Sequence, residues 1–436
     1  MDIIIAGAGR VGFNLARTLS IGHNVTVVDR NAEALQRLQE SLDILPVHGD
    51  IEDPQTYRKL IDKDADLFIA VTDLDEANLI STLIVDDFIQ IKRKIIRLRN
   101  AFFAKSSIKE KLHITDAVFP LELTSDTITT LLDYPKANNI KSFKQTDFKL
   151  ISLWANGIDA ATEIDAPNVR LVGIERQKRF YIPDGNRVEP GDLIYLFGDE
   201  SEIRSVCRRF DHDTPPAIER CVIFGAGDLG VAIASKLLQQ GKEVKLVEKD
   251  VSLCRIADEK LEGEAMTLSC KYGTGELFEE EGLGHADMMI AATGNDEYNI
   301  IKCLEAREHG IRKVVAVNNE LEYYNLMHSL GIVVVRGPKM SAYNAILESI
   351  YSSQVVMERK FCGGKAVVFL RKVFPDSPLV GKKIKPLKKE GIKLFLVREE
   401  KLLPFSEPIV AEEEDLLVGF TTETMAPKLK VWFYER

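Results

Sequence analysis

The sequence predicts an α/β protein built from two tandem copies of one unit. Each copy is a doubly wound parallel-sheet domain followed by a small α+β domain. Three observations predict it: a glycine motif that occurs twice behind an apolar strand, a second block repeated in the same order, and a regular alternation of short apolar strands with helical segments.

The glycine motif comes first. Residues 3–12 read IIIAGAGRVG and residues 221–230 read CVIFGAGDLG, an offset of 218 in a chain of 436 residues. The second block is ADLFIAVT at 65–72 against ADMMIAAT at 286–293, followed by Asp75-Glu76-Ala77-Asn78 against Asp296-Glu297-Tyr298-Asn299. Two matching blocks in one order mark a duplication.

Short apolar strands are expected near 3–6, 25–28, 44–47, 67–71, 95–98 and 117–119, and again near 221–224, 244–247, 265–268, 288–292, 314–317 and 332–335. Helical patterns such as 10–20 and 77–90 separate them, which is the βαβ signature of a parallel sheet. After Pro120 and Pro338 the pattern changes. A helix is expected at about 121–133 and 341–354. Strands follow at 148–154, 171–175, 179–182 and 192–197 in the first half, and at 366–370, 393–398, 415–420 and 431–434 in the second. The expected divisions are 1–120, 121–212, 217–338 and 339–436, with Asp211–Pro216 as the linker between halves.

Composition bounds the function. Lys and Arg total 57 against 67 Asp and Glu, a formal charge of −10, so no nucleic-acid partner is expected. The six cysteines form no CxxC pair and match neither a zinc site nor a disulfide framework, so they read as core thiols and no metal site is expected. No apolar run approaches the roughly 18 residues of a spanning helix. A soluble chain is expected, held at any membrane by a partner.

Gly7, Gly9 and Gly12 follow a strand and open a helix. In such a motif the first glycine makes the turn, the second lets a pyrophosphate approach the backbone, and the third lets helix and strand pack. The phosphates sit on the helix N-terminus. Asp29 ends the second strand, where a carboxylate takes both ribose hydroxyls and repels a 2′-phosphate, so NAD is favoured over NADP. The pattern is that of a Rossmann domain. The second copy offers Gly225, Gly227, Gly230 and Glu248.

The halves differ in charge. Arg10 corresponds to Asp228, and Asp50, beside the expected adenine edge, to Lys271. The strand near 95 carries Arg97, whose guanidinium can reach phosphates, and its expected counterpart is Ala316. Thr72-Asp73 and Thr293-Gly294 end the fourth strands, facing the ligand crevice. Asp75, Glu76 and Asn78 are expected to cap the next helix.

An enzyme is not expected. A dehydrogenase needs an acid/base group beside the nicotinamide, commonly His or Lys. None of the seven histidines falls in the small domains, between 114 and 211 or after 328. The lysines at 382, 383, 385, 388 and 389 read as a basic face on a helix, solvated or alternatively a docking surface, rather than as a catalytic lysine. The alternative reading is an NAD-dependent oxidoreductase with duplicated dinucleotide-binding domains.

The order GAGRVG, VVD, AVTDLDEAN, a strand bearing Arg97 and a small domain, all repeated, resembles the TrkA family. These are peripheral nucleotide-binding subunits of bacterial Trk potassium uptake, built from two RCK (regulator of potassium conductance) modules, each an RCK-N Rossmann domain plus an RCK-C α+β domain. Ser377-Pro378-Leu379-Val380-Gly381-Lys382 is close to the family pattern, and the first small domain lacks that stretch. The resemblance implies a cytoplasmic regulator, peripheral on the inner face of the membrane and assembled as a dimer or tetramer under a potassium-translocating subunit. It implies binding of NAD(H), alternatively ATP or ADP. The family's nucleotide positions fall on Gly7, Ala8, Gly9, Arg10, Val11, Asp29, Thr72, Asp73 and Arg97, and on Gly225, Ala226, Gly227, Asp228, Leu229 and Glu248. Gly12, Asp50, Gly230 and Thr293 complete the expected site from the residues themselves.

Overall fold

Strands β1 (Asp2–Ala6), β2 (Asn24–Asp29), β3 (Leu45–His48), β4 (Ala65–Ala70), β5 (Ile91–Arg97) and β6 (Asp116–Val118) form one sheet in the order β3-β2-β1-β4-β5-β6, with every pair parallel. The computed structural model describes all residues except 59, 61–63, 144, 211–216, 271–274, 352–355, 376 and 435–436. The expected linker 211–216 and Lys271 lie outside the described residues. A second six-stranded sheet repeats the same order with Met266–Ser269, Glu243–Glu248, Arg220–Phe224, Met288–Ala291, Lys313–Asn318 and Val333–Arg336. The order reverses between β2-β1 and β4, the switch point where a doubly wound sheet opens its ligand crevice. The chain is thus a tandem α/β duplication, as its repeated blocks predict.

The strands pack on both faces. Ile3, Ile5, Val27, Leu67 and Ile69 face one layer of helices, and Ile4, Ala6, Phe68, Ala70 and Ile96 the other. Strands buried on two sides explain the continuous apolar runs.

The molecule divides into two compact units: 1–126 with 336–351, and 127–335 with 352–436. The long helices after each Rossmann sheet account for this division. Helix Pro338–Tyr351 follows the second sheet in the chain, yet its Ala342, Ile346 and Ile350 are buried in the core of the first. Thr18 Oγ1 and Tyr343 OH are 2.8 Å apart, and Ser349 Oγ donates to Asp116 Oδ2 at 2.6 Å. Helix Pro120–Asp133 follows the first sheet, but Ile128 and Leu131 join the core of the second with Ile223, Ile233 and Val315. The two halves exchange their crossover helices.

In the second unit each half contributes a five-stranded antiparallel sheet. The first has the order Arg179–Tyr181, Val169–Arg176, Leu193–Gly198, Thr146–Trp154, Asn139–Phe143. The second has Val356–Phe361, Ala366–Lys372, Leu416–Thr422, Ile392–Arg398, Lys401–Pro404. The two sheets share an aromatic core in which the Phe197 and Phe420 rings lie 5.3 Å apart. Side-chain to main-chain hydrogen bonds join them, for Arg170 Nη2 donates to Leu402 O at 3.2 Å and Lys393 Nζ to Leu171 O at 2.9 Å.

Two expectations fail here. Residues 431–434 are not a strand but part of helix Ala426–Tyr434, which buries Leu429, Trp432 and Phe433, a spacing that suits one helical face. The lysines at 382–389 are not on a helix: only Lys383–Ile384 is regular, as a short strand, and Trp432 Nε1 donates to Lys385 O. A short apolar run and a basic run carry no period that separates helix from strand or loop.

Candidate functional site

The β1–α1 turn builds the first site. Gly7 has φ +114°, a conformation open to glycine at little cost, and its N–H donates to Val28 O at 2.9 Å. Gly9 caps helix α1 (Arg10–Leu19) without a side chain, and a Cβ placed there meets nothing within 4 Å. The backbone is therefore bare toward the crevice. Gly12 is different: an added Cβ lies 1.8 Å from Gly7 O. That glycine lets helix and turn touch. The second half repeats each feature, with Gly225 at φ +107°, an open Gly227 before helix Asp228–Gln239, and a Gly230 Cβ 1.8 Å from Gly225 O.

A cleft of about 420 Å³ opens along α1 and helix α2 (Ala32–Ser41), lined by Ala8, Gly9, Arg10, Phe13, Asn14, Asp29, Asn31, Ala34 and Arg37. A narrower crevice of about 40 Å³ continues past Gly9 and Arg10 to Val11, Val71, Thr72, Asp73, Arg97 and Lys339. The structure thus brings Ala8, Gly9, Arg10, Val11, Asp29, Thr72, Asp73 and Arg97 to two adjoining pockets that share Gly9 and Arg10. Asp50 lines neither part; its Oδ1 accepts from Glu52 N in the loop after β3.

Asp29 ties the groove together. Its Oδ2 accepts from Ala8 N at 2.6 Å and its Oδ1 from Asn31 N at 2.7 Å. Glu248 does the same in the second half, accepting from Ala226 N at 3.0 Å and from Lys249 N and Asp250 N. The carboxylate fixes the glycine turn.

Arg97 is buried at the end of β5, 5% exposed, and its Nη1 donates to Asp73 Oδ1 at 2.8 Å and Thr72 O at 3.2 Å. Its Nε is buried without a partner. Burial pushes the Asp73 carboxyl up, but the Arg97 hydrogen bond and charge, with Lys339 and Arg99 farther off, hold it below the usual carboxylate range. An unpaired buried guanidinium N–H costs free energy until an anion or water takes it.

Asn78 and Asp75 are not helix caps. Asn78 Oδ1 accepts from Thr72 N and Thr72 Oγ1, and its Nδ2 donates to Thr72 O and Arg97 O. Asp75 accepts from Arg99 N and Asn100 N. Asn78 straps the end of β4 to the end of β5, and Asp75 ties the start of its helix to the backbone just past β5. Asn299 repeats the strap, accepting from Thr293 N and Oγ1 and donating to Thr293 O and Val317 O.

That strap corrects one expected pairing. Asn78 reaches Arg97 O and Asn299 reaches Val317 O, so Val317, not Ala316, is the counterpart of Arg97. The connection into the fifth strand is one residue shorter in the second half, and a one-residue slip turns side chains to the opposite face. Ala316 packs on one side of the second sheet and Val317 on the other.

Elsewhere in the second site, Asp228 is bridged by Lys260 Nζ at 3.2 Å, and Leu229 packs against the core. Tyr298 stands where the first half has Ala77; its hydroxyl is pushed up by burial and then by the charges of Cys270 and Glu248. Sequence reasoning missed Phe13, Asn14, Asn31, Ala34, Arg37 and Lys339. Asn31, Ala34 and Arg37 carry a signal, spaced by three on the helix that starts just after Asp29. Lys339 carries none, being far away in the chain.

The TrkA-N domain family model matches residues 3–120 and 221–338, the two Rossmann domains. The chain belongs to the TrkA-N family. It is similar to a Trk system potassium uptake protein TrkA from Vibrio alginolyticus, 29% identical over 444 residues, covering 96% of this chain and 95% of that one. A TrkA homolog from Archaeoglobus fulgidus is 29% identical over 431 residues, covering 96% and 97%. Among solved structures, the GsuK RCK domain superposes with a TM-score of 0.59 at 17% identity, over 100% of this chain and 95% of that one. The GsuK channel bound to NAD gives 0.61 at 18% identity, over 100% and 79%. These likenesses show the fold. Among the described residues, no helix is long and apolar enough to cross a membrane.

Proposed function

We propose that this chain is the nucleotide-binding regulatory subunit of a Trk-type potassium uptake system. It binds NAD(H), or alternatively ATP or ADP, in the first-half groove, and signals occupancy to a membrane-embedded potassium-translocating subunit. The observation that carries the reading is the pair of adjoining pockets around Gly9: bare glycine backbone, Asp29 on one side, and the buried, partly unpaired Arg97 on the other. The TrkA relatives, similar along nearly their whole length, supply the transport context.

The site residues are assigned as expected, Gly7 through Gly12, Asp29, Thr72, Asp73 and Arg97, with Asp50 outside the groove. Gly225 through Gly230, Glu248 and Thr293 form a weaker second site. The division into 1–120, 121–212, 217–338 and 339–436 belongs to the same reading, as do a homo-oligomer of two-module chains, a peripheral position on the inner face of the membrane, and no catalytic step.

The test is capture of the purified chain by vesicles carrying the potassium-translocating subunit, with potassium flux measured with and without NADH, NAD, ADP and ATP. Nucleotide-dependent flux supports the reading. Flux indifferent to the chain and to every nucleotide overturns it, and steady NADH oxidation by the purified chain with candidate substrates favours the oxidoreductase instead.

A further inference from the structure

We propose that Lys339, carried on the second half's crossover helix, is a phosphate-binding residue of the first half's nucleotide site, so that a bound nucleotide fastens that helix to the first sheet. The inference rests on the nucleotide reading above and adds a residue and a coupling to it.

Lys339 is the second residue of helix Pro338–Tyr351, and it lines the narrow crevice opposite Gly9, Arg10, Thr72, Asp73 and Arg97. The crevice is built for an anion on independent grounds. Arg97 is buried there with its Nε unpartnered, and Gly9 leaves open space beside the helix N-terminus. The only carboxylate among the crevice residues, Asp73, already holds Arg97. Lys339 and Arg10 are exposed cations with long, adjustable stems. Two cations, Arg97 and Lys339, beside one carboxylate, Asp73, leave an excess of positive charge in a chain whose formal total is −10. A group of two or three phosphates satisfies that excess and the empty Arg97 donor together.

The helix delivering Lys339 is seated by its own contacts: Ala342, Ile346 and Ile350 in the core, Thr124 Oγ1 to Ser341 Oγ at 3.1 Å, and Arg93 Nη2 to Ser349 O at 3.0 Å. A phosphate held by Lys339 and Arg97 at once adds a contact that exists only when the helix is docked. By linkage, nucleotide binding then favours the docked helix, and the docked helix favours binding. The first crossover helix has Leu121 at the corresponding place after its proline, so the coupling runs one way between the halves.

The experiment uses the full chain, as wild type, Lys339→Ala and Lys339→Arg, titrated calorimetrically with ATP, ADP and adenosine at fixed salt. Lys339→Ala is expected to weaken ATP by about tenfold, the weight of one charge-assisted contact, to weaken ADP less and to leave adenosine unchanged. Lys339→Arg keeps wild-type affinity. In hydrogen exchange, ATP slows the amides of residues 339–351 in wild type and much less in Lys339→Ala. Unchanged ATP affinity in Lys339→Ala overturns the proposal while sparing the nucleotide reading, and so does an equal loss for adenosine, which would mark a structural role. If the wild-type chain binds no adenine nucleotide, the reading and the proposal fall together.

Discussion

Asp73 holds Arg97 through one nitrogen, Nη1 at 2.8 Å, and leaves Nε of the same guanidinium buried and unpaired. The carboxylate stands where a phosphate oxygen would compete for the same cation. Asp73→Asn is therefore expected to raise ATP affinity several-fold, and Arg97→Ala to lower it by about tenfold or more. Calorimetry on the two variants checks both signs; weaker ATP binding in Asp73→Asn would mean that the carboxylate serves the ligand directly.

Asp29→Ala removes the ribose acceptor and also strands the N–H groups of Ala8 and Asn31. Nucleotide affinity is expected to fall, and stability with it, by about 1–3 kcal/mol for the lost acceptor. Melting of the variant with and without NAD separates the two effects. An Asp29→Ala chain with full NAD affinity would refute the ribose assignment.

The halves are expected to bind ATP unequally, the first site more tightly by at least about tenfold, since Val317 and Asp228 replace Arg97 and Arg10. The gap should be wider for ATP than for NAD. The exchanged helices make isolated halves the wrong material, so the titration belongs on the full chain. Arg97→Ala is expected to abolish the tight phase, and Val317→Arg with Asp228→Arg to create a second one. Ala316→Arg is expected only to destabilise, because Ala316 is as buried as Val317 but lies on the opposite side of the sheet. Equal phases in the wild-type chain would refute the charge argument.

Lys393 lies between the two small sheets, and burial pushes its pKa down to about 8 from 10.5. Between those values the unfolded chain binds more protons than the folded one. The Lys393 contribution to stability therefore rises as pH increases from about 8 to 10.5. Urea midpoints across this range should climb in wild type relative to Lys393→Met, and parallel curves for the two proteins would contradict the burial.

Much of this was legible in the residues. The glycine spacing, the strand-ending acids Asp29 and Glu248 and the repeated ADLFIAVT and ADMMIAAT blocks announce two Rossmann sheets, because turn sterics and strand burial act over a few neighbouring residues. The strap by Asn78 shows in the sequence only as a repeated letter, since a side chain near a helix start that bonds the ends of the two flanking strands looks like a helix cap in one dimension. Residues 431–434 look like a strand in the sequence because four apolar residues carry no period, and they fold as helix.

The sequence by itself determined the duplication, the sheet class and the glycine–acid frame of each site, all of them consequences of local spacing. Only the tertiary structure decided which helix lies on which sheet, that Val317 rather than Ala316 answers Arg97, and that Lys339 shares a crevice with Arg10. Such pairings depend on which apolar face finds a complementary surface. Ala342, Ile346 and Ile350 are buried in the core of the first sheet, and chain order does not say which sheet they meet.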